Sequence, residues 1–155
     1  MGIEIEKKFL LKNDDWKKEA DEGELFRQGY MSGSNRSSIR IRVAGNKANI
    51  NIKSATLGVT RKEYEYEIPV EDANEMLDSM CERPFIEKRR HFIQRGSHTW
   101  EIDVFEGDNE GLIVAEIELS DPEEPFDIPC WIGDDVSEDP KYYNVCLVNH
   151  PYKDW

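Results

Sequence analysis

Charged side chains of a single sign recur at every second position in several segments of this chain, with apolar residues between them. Glu4 and Glu6 enclose an isoleucine, and so do Arg40 and Arg42. A spacing of two places side chains on the same face of a β-strand, so these segments predict strands with one charged face and one apolar face. Like charges on one strand face lie about 6.6 Å apart and repel each other, so each charged row needs opposite charges facing it.

The same pattern continues along the chain with both signs. A solvated face of an ordinary antiparallel sheet is one interpretation of any single strand, but a solvated strand usually mixes its signs. A barrel would bring acidic and basic rows to one axis, and its polar interior would explain why 34% of the residues are charged and only 38% apolar. We therefore predict a β-rich α+β fold, a closed eight-stranded antiparallel β-barrel with a few flanking helices. The further pairs are Glu63 and Glu65, Glu101 and Asp103, Glu116 and Glu118, and the basic Lys88 and Arg90.

Element boundaries follow from the alternation and from turn residues. A helix is predicted over residues 70–81, where apolar residues have helical spacing and acidic residues occupy the first turn. Shorter helices are predicted at residues 16–20 and 140–148, and a turn at residues 32–35. Because no internal repeat, linker or low-complexity segment interrupts the pattern, residues 1–155 are expected to form one domain. Predicted strands cover residues 3–11, 24–32, 38–44, 47–53, 61–69, 85–94, 98–105 and 112–120.

Net charge and cysteine content limit the function classes. A net charge of −13 argues against a general nucleic-acid or anionic-membrane binder, because such proteins present basic surfaces to phosphates. Cys81, Cys130 and Cys146 are odd in number and lack metal-binding spacing, so we expect reduced thiols that pack in the core of a cytoplasmic protein. We expect neither a signal peptide nor a membrane-spanning segment.

The two kinds of charged row suit one class of ligand. Acidic pairs suit divalent cations, which take oxygen ligands. Basic pairs suit phosphate oxygens, with which they form charge-assisted hydrogen bonds. A polyphosphate with bound metal ions would satisfy both rows inside one barrel, and the negative net charge does not exclude it, because the field inside a cleft differs from that of the whole protein.

The segment Glu4-Ile5-Glu6-Lys7-Lys8 opens a series of short motifs that runs through the chain. It resembles the ExExK signature of the CYTH, or triphosphate tunnel metalloenzyme, superfamily. Later segments are similar to further elements of that superfamily in the same order, so the resemblance covers essentially the whole chain. These segments are residues 40–42, 53–54, 61–65, 88–90, 103–107, 115–119 and 141–144.

The resemblance implies a tunnel that binds a triphosphate and uses Mg²⁺ or Mn²⁺. The implied metal ligands are Glu4, Glu6 and Glu118, with Glu116 close by. The implied phosphate clamp consists of Lys8, Arg40, Arg42, Lys53, Lys88 and Arg90. Glu63, Glu65 and Asp103 are implied as the remaining acidic wall, which holds a second metal ion or orients water. The expected catalytic set is therefore Glu4, Glu6, Lys8, Glu63, Glu65 and Asp103.

The choice of substrate depends on the segment between the second and third strands. Class IV adenylyl cyclases and thiamine triphosphatases of the superfamily resemble each other in an aromatic, Asp-containing segment there, whereas residues 29–36 are short and lack the Asp. The chain thus resembles the short bacterial members that cleave inorganic triphosphate (tripolyphosphate) to pyrophosphate and phosphate. The expected partner is this small-molecule substrate, and neither nucleic acid nor a membrane is expected. A homodimer is left open. The alternatives are a nucleoside or thiamine triphosphatase, a class IV-type adenylyl cyclase, a non-catalytic polyphosphate-binding module and a structural sheet protein.

Overall fold

The computed structural model describes residues 2–31, 35–56 and 58–155. Within these residues the helices are α1 (Val70–Met80) and α2 (Asn144–Leu147), and short 3₁₀ turns occur at Asp15–Lys18, Gly107–Asn109, Pro140–Tyr142 and Tyr152–Asp154. None of the described helices has the length and apolar character needed to cross a membrane. The strands are β1 (Ile3–Leu11), β2 (Glu24–Tyr30), β3 (Ser37–Ala44), β4 (Lys47–Ser54), β5 (Thr60–Ile68), β6 (Ile86–Arg95), β7 (His98–Phe105), β8 (Ile113–Leu119) and β9 (Ile132–Asp135).

Eight of the strands form a closed antiparallel barrel in the order β5-β4-β3-β2-β6-β7-β8-β1. The barrel closes where β1 pairs with β5, so that Ile3 lies opposite Lys62. From Ile5 to Leu10, β1 pairs with β8 on its other side. The predicted closed eight-stranded antiparallel barrel with flanking helices is therefore confirmed.

The sequence does not predict the ninth strand. β9 pairs with the end of β1, where Phe9 lies opposite Asp135 and Leu11 lies opposite Ile132. Its four residues, Ile-Gly-Asp-Asp, include one buried apolar side chain. A strand this short shows no alternation, so its position depends on the neighbouring strand and cannot be recognised from the local pattern.

Most predicted boundaries agree with the structure within two residues, and the differences have local causes. β2 ends at Tyr30, because Met31 forms an isolated bridge with Cys81 instead of continuing the ladder. The helix predicted at residues 16–20 is the 3₁₀ turn Asp15–Lys18. Just before it, the side-chain oxygen of Asn13 accepts a 2.9 Å hydrogen bond from the backbone N–H of Asp15. The turn predicted at residues 32–35 falls largely outside the described residues.

The cysteines are free, and they differ in burial. Cys81 and Cys146 are half-buried, whereas Cys130 is exposed. The expectation of core packing is therefore wrong for Cys130. Its neighbour Trp131 is fully buried and takes the inward position in this segment.

The apolar faces of the strands point away from the barrel axis and are partly covered by the flanking elements, whereas Tyr64 and Tyr66 on the outer face of β5 are exposed. On one side the rings of Phe9 and Trp131 both pack edge-on against Trp100, with centroids 5.7 Å away in each pair. On another side α1 places the buried Leu77 against Ile41 of β3. Burial of one such leucine contributes roughly 1.5–3 kcal/mol. Because the apolar rows pack outside, the charged rows face the interior.

Apolar side chains fill one end of the barrel interior. The inward row of β1 continues from Lys8 to Leu10, and the inward row of β7 continues from Asp103 to Phe105, because alternate residues share a face. Phe105 and Leu10 pack in one cluster with the fully buried Leu147 of α2. The C-terminal segment therefore lies against this end, and the polar part of the interior begins where the charged rows begin.

Candidate active site

The charged rows enclose a cavity of about 220 Å³ in the barrel interior. All the site residues predicted from the sequence line it except Asp103, which lies behind two of the basic side chains. Acidic and basic groups are equally numerous in the lining, so the cavity has no large net charge of its own. The acidic residues are Glu4, Glu6, Glu63, Glu65, Glu101, Glu116 and Glu118, and the basic residues are Lys8, Arg40, Arg42, Lys53, Arg61, Lys88 and Arg90.

Asp103 is fully buried and binds two members of the basic set. Its Oδ2 accepts from Lys88 Nζ at 2.8 Å, and its two oxygens accept from Arg90 Nε and Nη2 at 2.7 and 2.8 Å. Burial alone would raise the pKa of Asp103, but Arg90 and Lys88 outweigh it, so the pKa is lowered. Burial lowers the pKa of Lys88 to about 7 despite this contact. Asp103 is thus placed to orient these two side chains.

Glu116 joins the basic residues of β6 to those of β1. Its Oε1 lies 3.2 Å from Lys8 Nζ, and its Oε2 lies 3.2 Å from Arg90 Nη2. Burial would raise the pKa of Glu116, but Lys8 and Arg90 hold it well below its usual range. Burial would in turn lower the pKa of Lys8, and the carboxylates of Glu116 and Glu6 reverse that effect and raise it. Both partners are therefore charged at neutral pH.

A second group of contacts surrounds Glu4, where β1, β4 and β5 meet. Lys53 Nζ lies 3.0 Å from Glu4 Oε1 and 3.5 Å from Glu63 Oε2, and Arg61 Nη2 lies 3.7 Å from Glu4. The pKa of Glu4 is raised by burial, with Lys53 opposing and Glu63 adding to the shift. The side-chain amide of Asn51 donates to Glu63 and Glu65 at 2.9 and 3.0 Å. This side of the cavity is therefore rich in carboxylates that share few cations.

Arg40 and Arg42, both on β3, are buried, and unlike Arg61 and Arg90 of the same cavity they form no ion pair among the described residues. Their side chains form no ion pair within residues 2–31, 35–56 and 58–155, and Arg40 Nε has no hydrogen-bond partner there. Arg42 Nε donates to Gln28 Oε1 at 2.9 Å, and its guanidinium lies 4.7 Å from the centre of the Phe26 ring. Burial, followed by Arg40 and Arg90, lowers the pKa of Arg42 to about 9. The β3 wall therefore presents positive charge that an anion can neutralise.

Carboxylate oxygens that could hold a metal ion converge in the middle of the cavity. One oxygen each from Glu6, Glu101 and Glu116 lie within 4.8 Å of one another. Burial, then Glu116 and Glu4, raise the pKa of Glu6 to about 8. Burial, then Glu63 and Glu101, also raise the pKa of Glu118. In the described part of the chain neither Glu6 nor Glu118 has a basic partner within ion-pair distance, so a cation would relieve repulsion at this position.

Sequence analysis leaves out several polar side chains around this site, and four of them form hydrogen bonds or ion pairs with its charged residues. Alternation could identify two of them, since Arg61 shares a face with Glu63 and Asn51 shares a face with Lys53. The other two are Gln28 and Asn144, whose contacts join β2 to the C-terminal segment. A neutral amide in a strand or at a helix start has no distinctive pattern in a single sequence.

A comparison with known families identifies the architecture. The model of the CYTH domain matches residues 2–146, nearly the whole chain. The chain belongs to the CYTH family. The family suggested by the N-terminal motif is thereby confirmed, and this CYTH domain contains the charged cavity described above.

Two curated relatives of this CYTH domain match over 93% or more of its length. It is 49% identical over 155 residues to an inorganic triphosphatase of Acetivibrio thermocellus, with 100% of this chain and 99% of the relative covered. It is 34% identical over 152 residues to an inorganic triphosphatase of Nitrosomonas europaea, with 93% and 95% covered.

Solved structures share the fold of this CYTH domain. The crystal structure of the inorganic triphosphatase NE1496 superposes with a TM-score of 0.64 at 30% identity, and 94% of this chain and 93% of that chain are covered. The PH1012 protein from Pyrococcus horikoshii superposes with a TM-score of 0.63 over 77% of this chain and 81% of that chain, at 23% identity, which shows a common fold.

Proposed function

We propose that this chain hydrolyses inorganic triphosphate to pyrophosphate and phosphate inside the barrel, with Mg²⁺ or Mn²⁺ bound. The observation that supports this most directly is the set of charged side chains in one cavity that lack a partner of opposite sign. Among the described residues the buried Arg40 and Arg42 lack a carboxylate partner, and the half-buried Glu6 and the exposed Glu118 lack a basic one. Buried charges are costly unless they are neutralised. A triphosphate with divalent cations would supply charges of both signs.

The basic side chains are proposed to bind and align the triphosphate. Arg40 and Arg42 offer planar guanidinium groups that can bind two phosphate oxygens each. The clamp residues Lys8, Lys53, Lys88 and Arg90 come from three other strands, so together they can contact linked phosphates along the cavity. Their charges would stabilise the negative charge that collects on the pyrophosphate leaving group when the terminal P–O bond breaks.

The carboxylates are proposed to have two roles. Glu4, Glu6, Glu116 and Glu118 would hold the metal ions, which would neutralise phosphate oxygens and favour attack by water. An all-carboxylate donor set fits Mg²⁺ or Mn²⁺, and oxygens of Glu6 and Glu116 already converge with one of Glu101. Glu63 and Glu65 are proposed to orient the attacking water, and Asp103 to hold Lys88 and Arg90 in position.

The relatives and the shape of the cavity favour inorganic triphosphate among possible substrates. Two curated relatives that cover 93% or more of this chain are named inorganic triphosphatases. The cavity volume of about 220 Å³ suits a small, highly charged molecule, and its lining is almost entirely polar. The apolar cluster beside α2 would keep the substrate in the charged part of the interior.

A neighbouring cavity supports a second candidate, a triphosphate that has an organic group, such as a nucleoside or thiamine triphosphate. This cavity, of about 390 Å³, shares Tyr30, Arg61 and Tyr143 with the charged one. Apolar Val145 and Val148 line it beside hydroxyl side chains. Such a surface could contact a sugar or a ring while the phosphates occupy the charged cavity.

A phosphate-release assay would test the proposal and its alternatives. Inorganic triphosphate, ATP and thiamine triphosphate are incubated with the protein after metal removal, and again after Mg²⁺ or Mn²⁺ is restored. We expect phosphate release from inorganic triphosphate only when metal is present. Full turnover after exhaustive chelation would rule out the metal mechanism. Tight binding of triphosphate without turnover in either metal would identify a non-catalytic binding module instead.

We also propose a reducing, cytoplasmic location and a small-molecule substrate, with neither nucleic acid nor a membrane as partner and with a homodimer left open. The free state of Cys81, Cys130 and Cys146 is compatible with a reducing compartment. The overall charge of −13 disfavours binding to nucleic acid.

A further inference from the structure

Gln28 lies fully buried in the wall of the barrel, between the phosphate clamp and the C-terminal segment. It pairs with Arg42 of β3 on one side and with Ile86 of β6 on the other. Its Oε1 accepts from Arg42 Nε at 2.9 Å, and its Nε2 donates to Asn144 Oδ1 at 3.1 Å. Both ends of this side-chain amide are therefore used.

The orientation of each amide in this chain of contacts is determined by its charged neighbours. Arg42 can only donate, so Gln28 must present its oxygen to it, and its nitrogen must then find an acceptor. That acceptor is Asn144 Oδ1, which also accepts from Lys88 Nζ at 2.9 Å. A lysine can only donate as well, so Asn144 must present its oxygen. One arrangement satisfies all four side chains.

A neutral acceptor at this position has a consequence for the charge on Arg42. A carboxylate would hold the guanidinium as firmly, but it would neutralise the charge that a phosphate must meet. The Gln28 amide satisfies Nε and leaves the two terminal nitrogens of Arg42 without an ion pair in the described residues. The hydrogen bond from Nε therefore fixes the orientation of the Arg42 guanidinium plane, and the group keeps its positive charge.

We propose that Gln28 is a positioning residue that orients the guanidinium of Arg42 for triphosphate binding, and that Asn144 at the start of α2 holds Gln28 in the required orientation. This inference rests on the function proposed above. It also gives the C-terminal segment a role in substrate affinity. Asn144 accepts a hydrogen bond from Lys88 directly, and it is connected to Arg42 through Gln28. Gln28 acts on the substrate only through Arg42.

A double-mutant cycle tests whether Gln28 acts through Arg42. The variants are Gln28→Leu, Arg42→Ala and the double variant, and each is assayed for KM and kcat with inorganic triphosphate and for the Kd of inorganic triphosphate by calorimetry. We expect Gln28→Leu to raise KM and Kd about tenfold, with a smaller change in kcat, because a charged donor loses its acceptor. In the Arg42→Ala background the same change should leave Kd unaltered.

Controls separate positioning from packing. Ile86→Val removes one buried methyl group from the neighbour of Gln28 and should lower Tm without changing Kd. If Gln28→Leu does not fold, Gln28→Met keeps an unbranched side chain of similar length and enters the same cycle. Equal losses of affinity with and without Arg42, or no loss in the wild-type background, would overturn the proposal. Because Kd is measured apart from turnover, a wild-type protein that binds inorganic triphosphate without cleaving it would refute the proposed function alone.

Discussion

At the scale of single residues, the arginines of the barrel differ in whether carboxylates hold them. Arg90 contacts Asp103, Glu101 and Glu116, so its removal would take one of two basic partners from the buried Asp103 and Glu116 and would reduce stability as well as binding. Arg40 forms no ion pair among the described residues. Its removal therefore reports on the ligand more directly than the removal of Arg90.

Arg40→Ala is expected to raise the KM for inorganic triphosphate about tenfold to a hundredfold, because a buried cation loses its contact with phosphate. Arg89→Ala is the matched control. Arg89 lies on the outer face of β6, where its Nη1 donates to the Gly23 carbonyl at 3.3 Å, so its loss should change KM little. Steady-state kinetics at constant free metal give both values. A larger effect at Arg89 than at Arg40 would mean that the inward and outward faces have been exchanged.

Two glutamates of the cavity, Glu6 and Glu116, should respond in opposite ways when a neutral amide replaces the carboxyl group. Glu6→Gln should lower kcat about a hundredfold or more, through loss of electrostatic stabilisation. It should leave Tm unchanged or higher, because burial already raises the pKa of Glu6 to about 8 and so disfavours its charged form. Glu116→Gln should lower Tm, since Lys8 would lose its ion-pair partner and Arg90 would lose one of three. Thermal denaturation beside turnover measurements checks both. A Glu6 variant with normal turnover would remove it from the mechanism.

The alternation of residues predicts which side chains enter the cavity, but it does not predict how they pair. Glu4, Arg40 and Arg90 follow from a spacing of two, because each strand has only two faces. That Asp103 lies behind Lys88 and not at the cavity surface depends on side-chain length and on the facing strand. The contacts of Gln28 depend on the C-terminal segment more than a hundred residues away, which no local pattern reports.

At the scale of elements, one glutamate ties the first 3₁₀ turn to two distant parts of the chain. The Glu19 carboxylate accepts hydrogen bonds of 2.8 Å from both Nε and Nη2 of Arg95, the last residue of β6. It also accepts a 2.9 Å hydrogen bond from the indole Nε1 of Trp131. These hydrogen bonds, from Arg95 first and Trp131 second, lower the pKa of Glu19. Because the pKa of Glu19 is lower in the folded state, its ionised carboxylate stabilises the fold at pH values above its unfolded-state pKa. This stabilisation is lost as the pH falls through the folded-state pKa.

Glu19→Gln is therefore expected to lower Tm at neutral pH, and the difference from wild type should shrink as the pH falls below the ordinary range for a glutamate. The difference shrinks because protonation of Glu19 removes the carboxylate charge from the wild-type protein at low pH, whereas the glutamine variant lacks that charge at every pH. Thermal denaturation across pH 3 to 7 (a range chosen about the ordinary glutamate pKa of roughly 4.3) measures the difference. The exposed Glu22 provides a control, Glu22→Gln. A difference that stays constant with pH would contradict an electrostatic role.

Long elements are predictable from the sequence, and short ones are not. β1 and β7 have the predicted bounds, because alternation continues over their whole length. α1 ends one residue before its prediction, where Cys81 takes an extended conformation. β9 has no pattern of its own, and the pairing that creates it depends on the end of β1.

At the scale of the whole molecule, the negative charge lies outside the cavity. Acidic and basic residues are balanced in the cavity lining, whereas the chain as a whole has a net charge of −13. The outer field therefore opposes the approach of a free polyanion, and it opposes a metal complex of lower charge less. Under the proposed function the cavity would accept both ions together, because it offers side chains of both signs that lack partners among the described residues.

This arrangement predicts an order of substrates: inorganic triphosphate should have the highest kcat/KM, ATP a lower one and pyrophosphate the lowest. Pyrophosphate would contact only part of a clamp that spans β1, β3, β4 and β6, and it would lose the remote binding energy that aligns the reacting phosphate. ATP presents three phosphates, but its adenosine must enter the neighbouring cavity, where Tyr143 already donates its hydroxyl to the Ser137 carbonyl at 2.9 Å and can offer only its ring. Phosphate release under the same metal gives the three values, and a pyrophosphate-release assay detects cyclisation of ATP. If thiamine triphosphate or ATP exceeds inorganic triphosphate, the neighbouring cavity determines the substrate and the charged cavity serves only its phosphates.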